Sequence, residues 1–410
     1  MAGNTILVIG AFDTKGAEYA FLREQILACG HEVLALNTGV LGSTDLFPVD
    51  VEANEVAQAG GEGLVALRER RDRGEAMKVM AAGAPVVVKR LFEEGRFGGI
   101  IGMGGTGGTT VVAAAMRALP VGVPKVCVST AASGDTSAYV GTKDVTMIPS
   151  IVDVAGINRI SRLILSRAAG AVCGMVEVEP PVVADDRPII VASMFGNTTA
   201  CVNACAEVLS AKGYEVLVFH ATGTGGKTME SLVLEGLVDA VLDITTTEWA
   251  DTICGGIFSA GPERLSAPGR MAVPHLIVPG CVDMANFGPL STVPREYRDA
   301  GRTFYEWNPS VTLMRTNVGE NQRMGEVFAE KANAARGPVA FLLPLRGVSI
   351  LDGDGEPFCD RDADRAMFAA LKAHLRADIP VVELDCNIND PEFAAKAVEM
   401  LLDLIAARGA

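Results

Sequence analysis

Positive charge is scarce in this sequence. Its 35 Lys and Arg face 50 Asp and Glu, a formal net charge of −15. Such a chain lacks the basic face that displaces counterions from nucleic acid and the polybasic patch that holds an anionic membrane. An anionic ligand must instead be held locally, by backbone N–H groups and a few cationic side chains. Long apolar runs are also missing, and nothing approaches the ~20 residues of a membrane span. The opening Met1-Ala-Gly-Asn4 has no basic leader and runs into a strand-length Ile6-Leu-Val-Ile9, so no signal peptide is expected. No two of the nine Cys are spaced as a CxxC pair, which removes the zinc-ribbon and thioredoxin-type readings, and no metal-ligand set is expected. The odd Cys count fits a reducing compartment, and the cytoplasm is the expected location. Cys201 and Cys205 are expected as buried small hydrophobes. His220 and His275 stand alone, so packing is the default for both, and no Ser-His-Asp order can be drawn.

What the chain has in excess is glycine, 45 residues, on a globular background of 49% hydrophobic residues. Many tight turns and close backbone approaches follow. Short apolar runs alternate with helix-like stretches. Strands are expected at 5–10, 31–36, 98–102 and 125–129, with helices at 16–29, 51–71, 75–94 and 109–119. A Pro-rich, acidic stretch at 177–188 interrupts the pattern and reads as a linker. The alternation then restarts, with strands at 189–193, 214–220, 238–243, 276–278, 339–343 and 381–384. Helices are expected at 199–212, 227–235, 322–335, 361–376 and 391–407. The fold class is therefore α/β: two Rossmann-like, doubly wound domains, 1–180 and 188–410, with mainly parallel sheets and a cleft between them. The two openings look alike. Phe12 falls in register with Phe195 and Gly30 with Gly213, and both second strands contain Glu-Val-Leu, so a duplicated module is expected.

The most informative stretch is Gly98-Gly-Ile-Ile-Gly-Met-Gly-Gly-Thr-Gly-Gly-Thr-Thr110. A strand, a glycine loop and a helix start in succession, which aims several N–H groups and a helix dipole at one point. Gly104, Gly105, Thr106, Gly107, Gly108 and Thr109 are the candidate phosphate contacts. Gly102, Gly104 and Gly107 also fit the dinucleotide fingerprint. That reading wants an acid at the end of the next strand, and this one ends Val126-Cys-Val-Ser-Thr130, so a nicotinamide-dependent oxidoreductase is the least favoured function. Two further loops belong on the same sheet edge. In the first, Gly10 to Lys15, Asp13 is a candidate for Mg²⁺, Thr14 for phosphate or a helix cap, and Lys15 for phosphate charge. In the second, Ser129, Thr130, Ser133, Gly134 and Asp135 suit phosphate or ribose, and 141–144 follows closely enough to close the same site.

The second half carries His220-Ala-Thr-Gly-Thr-Gly-Gly-Lys-Thr228, one residue short of a Walker A loop. It reads either as a P-loop, with Lys227 on the terminal phosphates and Thr228 on Mg²⁺, or as a second anion loop. Glu248, Asp283 and Asn286 stand at apparent strand ends, as substrate contacts or as turn and cap residues. The loop 344–358 has the acids Asp352, Asp354 and Glu356 but not the Gly and Glu of a calcium loop. Arg346 is its candidate anion contact, and a loop of that length is often a lid.

These motifs together resemble the Tm-one-like ATP-binding family, named for a tomato mosaic virus resistance protein. The residues carrying the resemblance are 10–15, 102–109, 119–130, 220–226 with Met229 and Glu230, Pro344-Leu-Arg-Gly-Val-Ser349 and Asn387-Ile-Asn-Asp390. The resemblance covers nearly the whole chain. It implies two α/β domains, ATP bound in the N-terminal one, and a homodimer or higher homo-oligomer. The leading expectation is an ATP-binding protein, with Mg²⁺, that couples ATP to chemistry on a small acidic metabolite in the cleft, where Lys227, Glu230 and Asp283 would meet the substrate. The alternative is a non-catalytic module whose shape the nucleotide stabilises.

Overall fold

In the computed structural model the described residues are 4–179 and 187–408. The expected linker falls mostly on 180–186, outside them. The chain divides into two compact units, Met1–Val182 and Val183–Ala410.

In the first unit the strands are β1 (Thr5–Gly10), β2 (Glu32–Asn37), β3 (Gly99–Gly104), β4 (Lys125–Ser129) and β5 (Thr146–Pro149). They form one parallel sheet in the order β2-β1-β3-β4-β5. Alternate residues of each strand face opposite sides, and both sides are buried, so these strands read as continuous apolar runs. Leu7 and Ile9 pack with Met80, Val87, Val112 and Met116 on one face. Ile6 and Val8 pack with Tyr19, Leu22, Leu165 and Ala169 on the other. The layers are those of a doubly wound fold. The chain steps outward from β1 to β2 and then returns to the other side of β1 as β3. The carboxyl ends of β1 and β3 are thus a topological switch point, where connections part and leave a crevice.

The helix expected over 51–71 is two helices, Ala53–Ala59 and Leu64–Arg70. Gly60 and Gly61 separate them. Gly61 has φ +94°, and at Gly60 a Cβ would lie 2.1 Å from the Val79 carbonyl oxygen, so helix Arg73–Glu93 packs directly on this turn. Strand β5 and the helix Arg159–Glu177 complete the unit and have no counterpart in the sequence expectations.

In the second unit β6 (Ile189–Met194), β7 (Glu215–His220), β8 (Ala240–Thr245), β9 (His275–Gly280), β13 (Val339–Pro344) and β14 (Val381–Leu384) form a parallel sheet in the order β14-β13-β9-β8-β6-β7. A three-stranded antiparallel sheet, β10 (Met284–Phe287), β12 (Val311–Arg315) and β11 (Phe304–Asn308), is an addition to the expected fold. Gly30 and Gly213 have nearly the same φ, +89° and +91°, at the ends of matching helices, as a repeated strand–helix–strand module requires. All nine Cys are free thiols, and Cys201 and Cys205 are buried.

Candidate functional site

At the switch point of the first unit two helices begin side by side. β1 runs into helix Phe12–Ala28, and β3 into Thr106–Arg117 after a single residue, Gly105. The second starts three residues earlier than the sequence suggests; in the first, one short turn precedes the kink at Lys15, after which the helix runs on from the expected Gly16. The first is set from a distance: Asn37 Oδ1 accepts the N–H of Phe12 at 3.1 Å and of Gly39 at 2.8 Å. Asp13 and Thr14 therefore sit on a first helical turn, not on a loop, with Lys15 at a kink that ends it (φ −128°, ψ 25°), and Thr106, Gly107 and Gly108 sit on another first turn. Neither helix has a side-chain cap from its own N-cap residue. First-turn N–H groups have no intrahelical acceptor, so two sets of donors and two positive dipole ends converge on one gap.

That gap is a cavity of about 850 Å³ lined by Asp13, Thr14 and Lys15 from one helix and by Gly104, Gly105, Thr106, Gly107 and Gly108 from the other. Its size is within the range of small-molecule sites. Tyr19 fixes its floor. Its buried hydroxyl accepts the Met103 N–H and bonds the carbonyls of Ile9 and Met103, tying β1 to β3. Burial holds this phenol well above its ordinary pKa. Gly10 serves that contact, since a Cβ there would lie 1.7 Å from the Tyr19 oxygen. Its role is to admit Tyr19, and it does not line the cavity.

Asp13 Oδ2 accepts the Leu41 N–H at 2.8 Å, and its Oδ1 is buried without a partner. Lys15 donates its ammonium to the Val154 carbonyl, which docks the segment after β5 against this helix. The third expected loop takes a different part. Thr109 and Ser129 are buried and share a 2.6 Å hydroxyl bond, so they join helix to strand behind the glycine turn. Thr130 stands beside Gly105, while Ser133, Gly134 and Asp135 are exposed and none of the four lines the cavity. The Asp135 carboxylate accepts the Ser137 N–H at 2.9 Å, which holds it below the usual carboxylate range. Gly102 lies inside β3, where Val112 and the Ile9 carbonyl take the space of a side chain.

Sequence reasoning missed one wall. Arg68, Arg71 and Arg73 line the same cavity from the junction of helices Leu64–Arg70 and Arg73–Glu93. The readable signal was four Arg within 68–73 of an otherwise acidic chain.

The Walker-like stretch of the second unit is built differently. Helix Thr224–Leu234 does begin there, but the carboxylate of Glu248 fills the place of a phosphate. Glu248 Oε1 accepts the N–H of Gly223 at 2.8 Å and of Gly226 at 3.0 Å. Its other oxygen accepts from Arg264 at 2.6 Å. Arg264 is wholly buried and also pairs with Asp243 and Glu230. Burial raises the Asp243 carboxyl, but Arg264 and His275 outweigh it and hold the group well below its ordinary pKa. Glu230 further accepts the N–H of Leu265 and Ala267. It is thus committed to structure, and Lys227 is exposed at the helix surface.

Asp283 follows β9, after Cys281 in a left-handed conformation with φ +58°. It is fully buried. Ser349 donates to its Oδ2 at 2.8 Å, and its Oδ1 has no partner. Burial, opposed by Arg315, pushes it up to about 6. Ser349 belongs to the loop 344–358, which Asp352 secures through Arg315 and Arg361. Arg346 pairs with Asp385 and Asp354.

The comparisons agree across the whole chain. The uncharacterised protein family (UPF0261) N-terminal domain matches residues 4–181, and its C-terminal domain matches 187–405. A UPF0261 protein of Clostridium tetani is 47% identical over 401 residues, 98% of each chain. One from Mesorhizobium japonicum is 45% identical over 97% of this chain and 98% of its own. The ToMV resistance protein Tm-1(GCR237) of Solanum lycopersicum is 37% identical over 97% of this chain, which spans 55% of the tomato protein. With both domains matched in order and the bacterial relatives aligned over nearly their full length, the chain belongs to the UPF0261 family.

Proposed function

We propose that the first unit binds ATP with Mg²⁺ in the crevice between β1 and β3, its phosphates against the first turns of helices Phe12–Ala28 and Thr106–Arg117. One contrast carries this reading: the glycine turn of the first unit opens on a cavity with cationic walls, while the Walker-like turn of the second is filled by its own Glu248. Thr106, Gly107 and Gly108 supply N–H donors. Lys15 and the arginines balance phosphate charge, and Leu67, Met77 and Val111 offer an apolar wall to the base. Asp13, with one oxygen unpartnered, suits the Mg²⁺ that enters with a triphosphate. That ion would neutralise phosphate charge.

Gly107→Ala is the direct test. A methyl there would meet Met77 Cε at 3.4 Å and Arg73 Nη2 at 3.9 Å, ordinary contacts, and Ala favours a helix. The variant folds, and its methyl occupies the space the phosphate needs. Calorimetric titration of ATP–Mg²⁺ is expected to show at least tenfold weaker binding with a melting temperature no lower than that of the wild type. Equal affinity would contradict the site.

Asp283 favours turnover over a purely nucleotide-stabilised module, because a buried carboxyl with a free oxygen is a candidate acid or base. Steady-state phosphate release that falls in Asp283→Asn while ATP affinity holds supports an enzyme. No release from the wild-type protein across a pool of small acids favours the module.

A further inference from the structure

We infer that Arg71 and Arg73 form a clamp for the polyphosphate end of the ligand, so that the site selects by number of phosphates. This rests on the nucleotide reading of the cavity and names what that cavity discriminates.

Arg71 ends helix Leu64–Arg70 with φ +55° and ψ +22°. That left-handed conformation strains any residue with a Cβ, and glycine is its usual occupant at a helix end. Five non-glycine residues have positive φ among those described, and Arg71 alone of them lines the cavity. Strain held at a ligand-facing position points to a side chain that is needed there. Among the described residues neither Arg71 nor Arg73 has an ion-pair or hydrogen-bond partner. Arg70, between Arg68 and Arg71, is instead bound by Glu62 and Glu75. Asp72 between them caps the next helix by accepting the Glu75 N–H at 3.0 Å, which fixes the backbone from which both side chains project.

Arg73 is the first residue of helix Arg73–Glu93, where a cation meets the positive end of the dipole. That placement is unfavourable while the cavity is empty and favourable once an anion enters. Arg73 also faces the glycine turn, with Nη2 3.9 Å from where a Gly107 Cβ would stand. One phosphate satisfies the N–H groups of the turn. Two further guanidinium groups call for further phosphates, and guanidinium forks match phosphate oxygens well. The expected order of affinity is triphosphate, then diphosphate, then monophosphate.

Arg71→Gly tests the clamp without harming the fold, because glycine suits the conformation. ATP, ADP and AMP, each with Mg²⁺, are titrated into the full-length wild-type protein and the variant. The wild type is expected to prefer ATP over AMP by at least 100-fold. In Arg71→Gly the ATP affinity should fall at least tenfold and the AMP affinity less than threefold, while the ligand-free melting temperature rises by a few degrees. An unchanged ATP-to-AMP ratio overturns the clamp even where ATP binding itself stands. If the wild type binds none of the three, the nucleotide reading fails and inorganic tripolyphosphate becomes the probe. Its binding to wild type and loss in Arg71→Gly would keep the clamp, and no difference between the two proteins would end it.

Discussion

Gly107 and Gly226 sit in similar glycine-rich stretches at helix starts, and what faces each one separates their roles. At Gly226 a Cβ would lie 2.1 Å from the Glu248 carboxylate, whereas at Gly107 it meets only ordinary contacts and open cavity. Sequence alone shows both turns and neither neighbour, because Glu248 arrives from 22 residues away and the arginine wall from about 35. That Lys15, Asp13 and Thr106 line one cavity was readable because strand-end position places them there. Thr109 and Ser129 have the same residue types, yet they bond to each other in the core. Asp283 gives a prediction at this scale. Its folded pKa stands near 6, above the ordinary 3.8, so the unfolded chain ionises first as pH rises. Folding stability is therefore lost between about pH 4 and 6, and the full penalty remains above that window. Asp283→Asn removes the ionisation. Urea denaturation should show the variant gaining on wild type across that window, by on the order of 3 kcal/mol, and then keeping a constant lead. A difference that does not change with pH would mean that Asp283 titrates normally.

Parallel strands buried on both faces are legible as apolar runs, which is why the expected strands lie close to those of both main sheets. Helix starts were less so. Helix Phe12–Ala28 begins where Asn37, a strand away, caps it, and helix Thr224–Leu234 begins where Glu248 caps it. Long-range caps leave no local signature. The antiparallel strands β10 to β12 escaped for another reason: β11 is mostly exposed, and its Phe-Tyr-Glu-Trp-Asn run follows no clear alternation. The Glu248 cap carries its own prediction. Glu248→Gln strips one partner from wholly buried Arg264 and should cost about 3 kcal/mol of stability in denaturant unfolding, since breaking a buried pair strands a charge. ATP affinity should not change, and Lys227→Ala should affect neither quantity. A P-loop at 221–228 would give the reverse pattern.

Across the whole molecule the net charge of −15 repels anions at long range, so a nucleotide is attracted only where cations and helix N-termini gather. The first unit has such a place. In the second, the corresponding charges are satisfied internally, by Glu248 and by the carboxylates around Arg264 and Arg315. The division of the chain into two units follows the family's two domains. Amide hydrogen exchange with and without saturating ATP–Mg²⁺ tests this division of labour most directly. The expected result is slowed exchange at 12–18, 38–41, 68–77 and 104–111, with 221–228 unchanged. Protection at 221–228, with none at 104–111, would contradict it and move the nucleotide to the second unit.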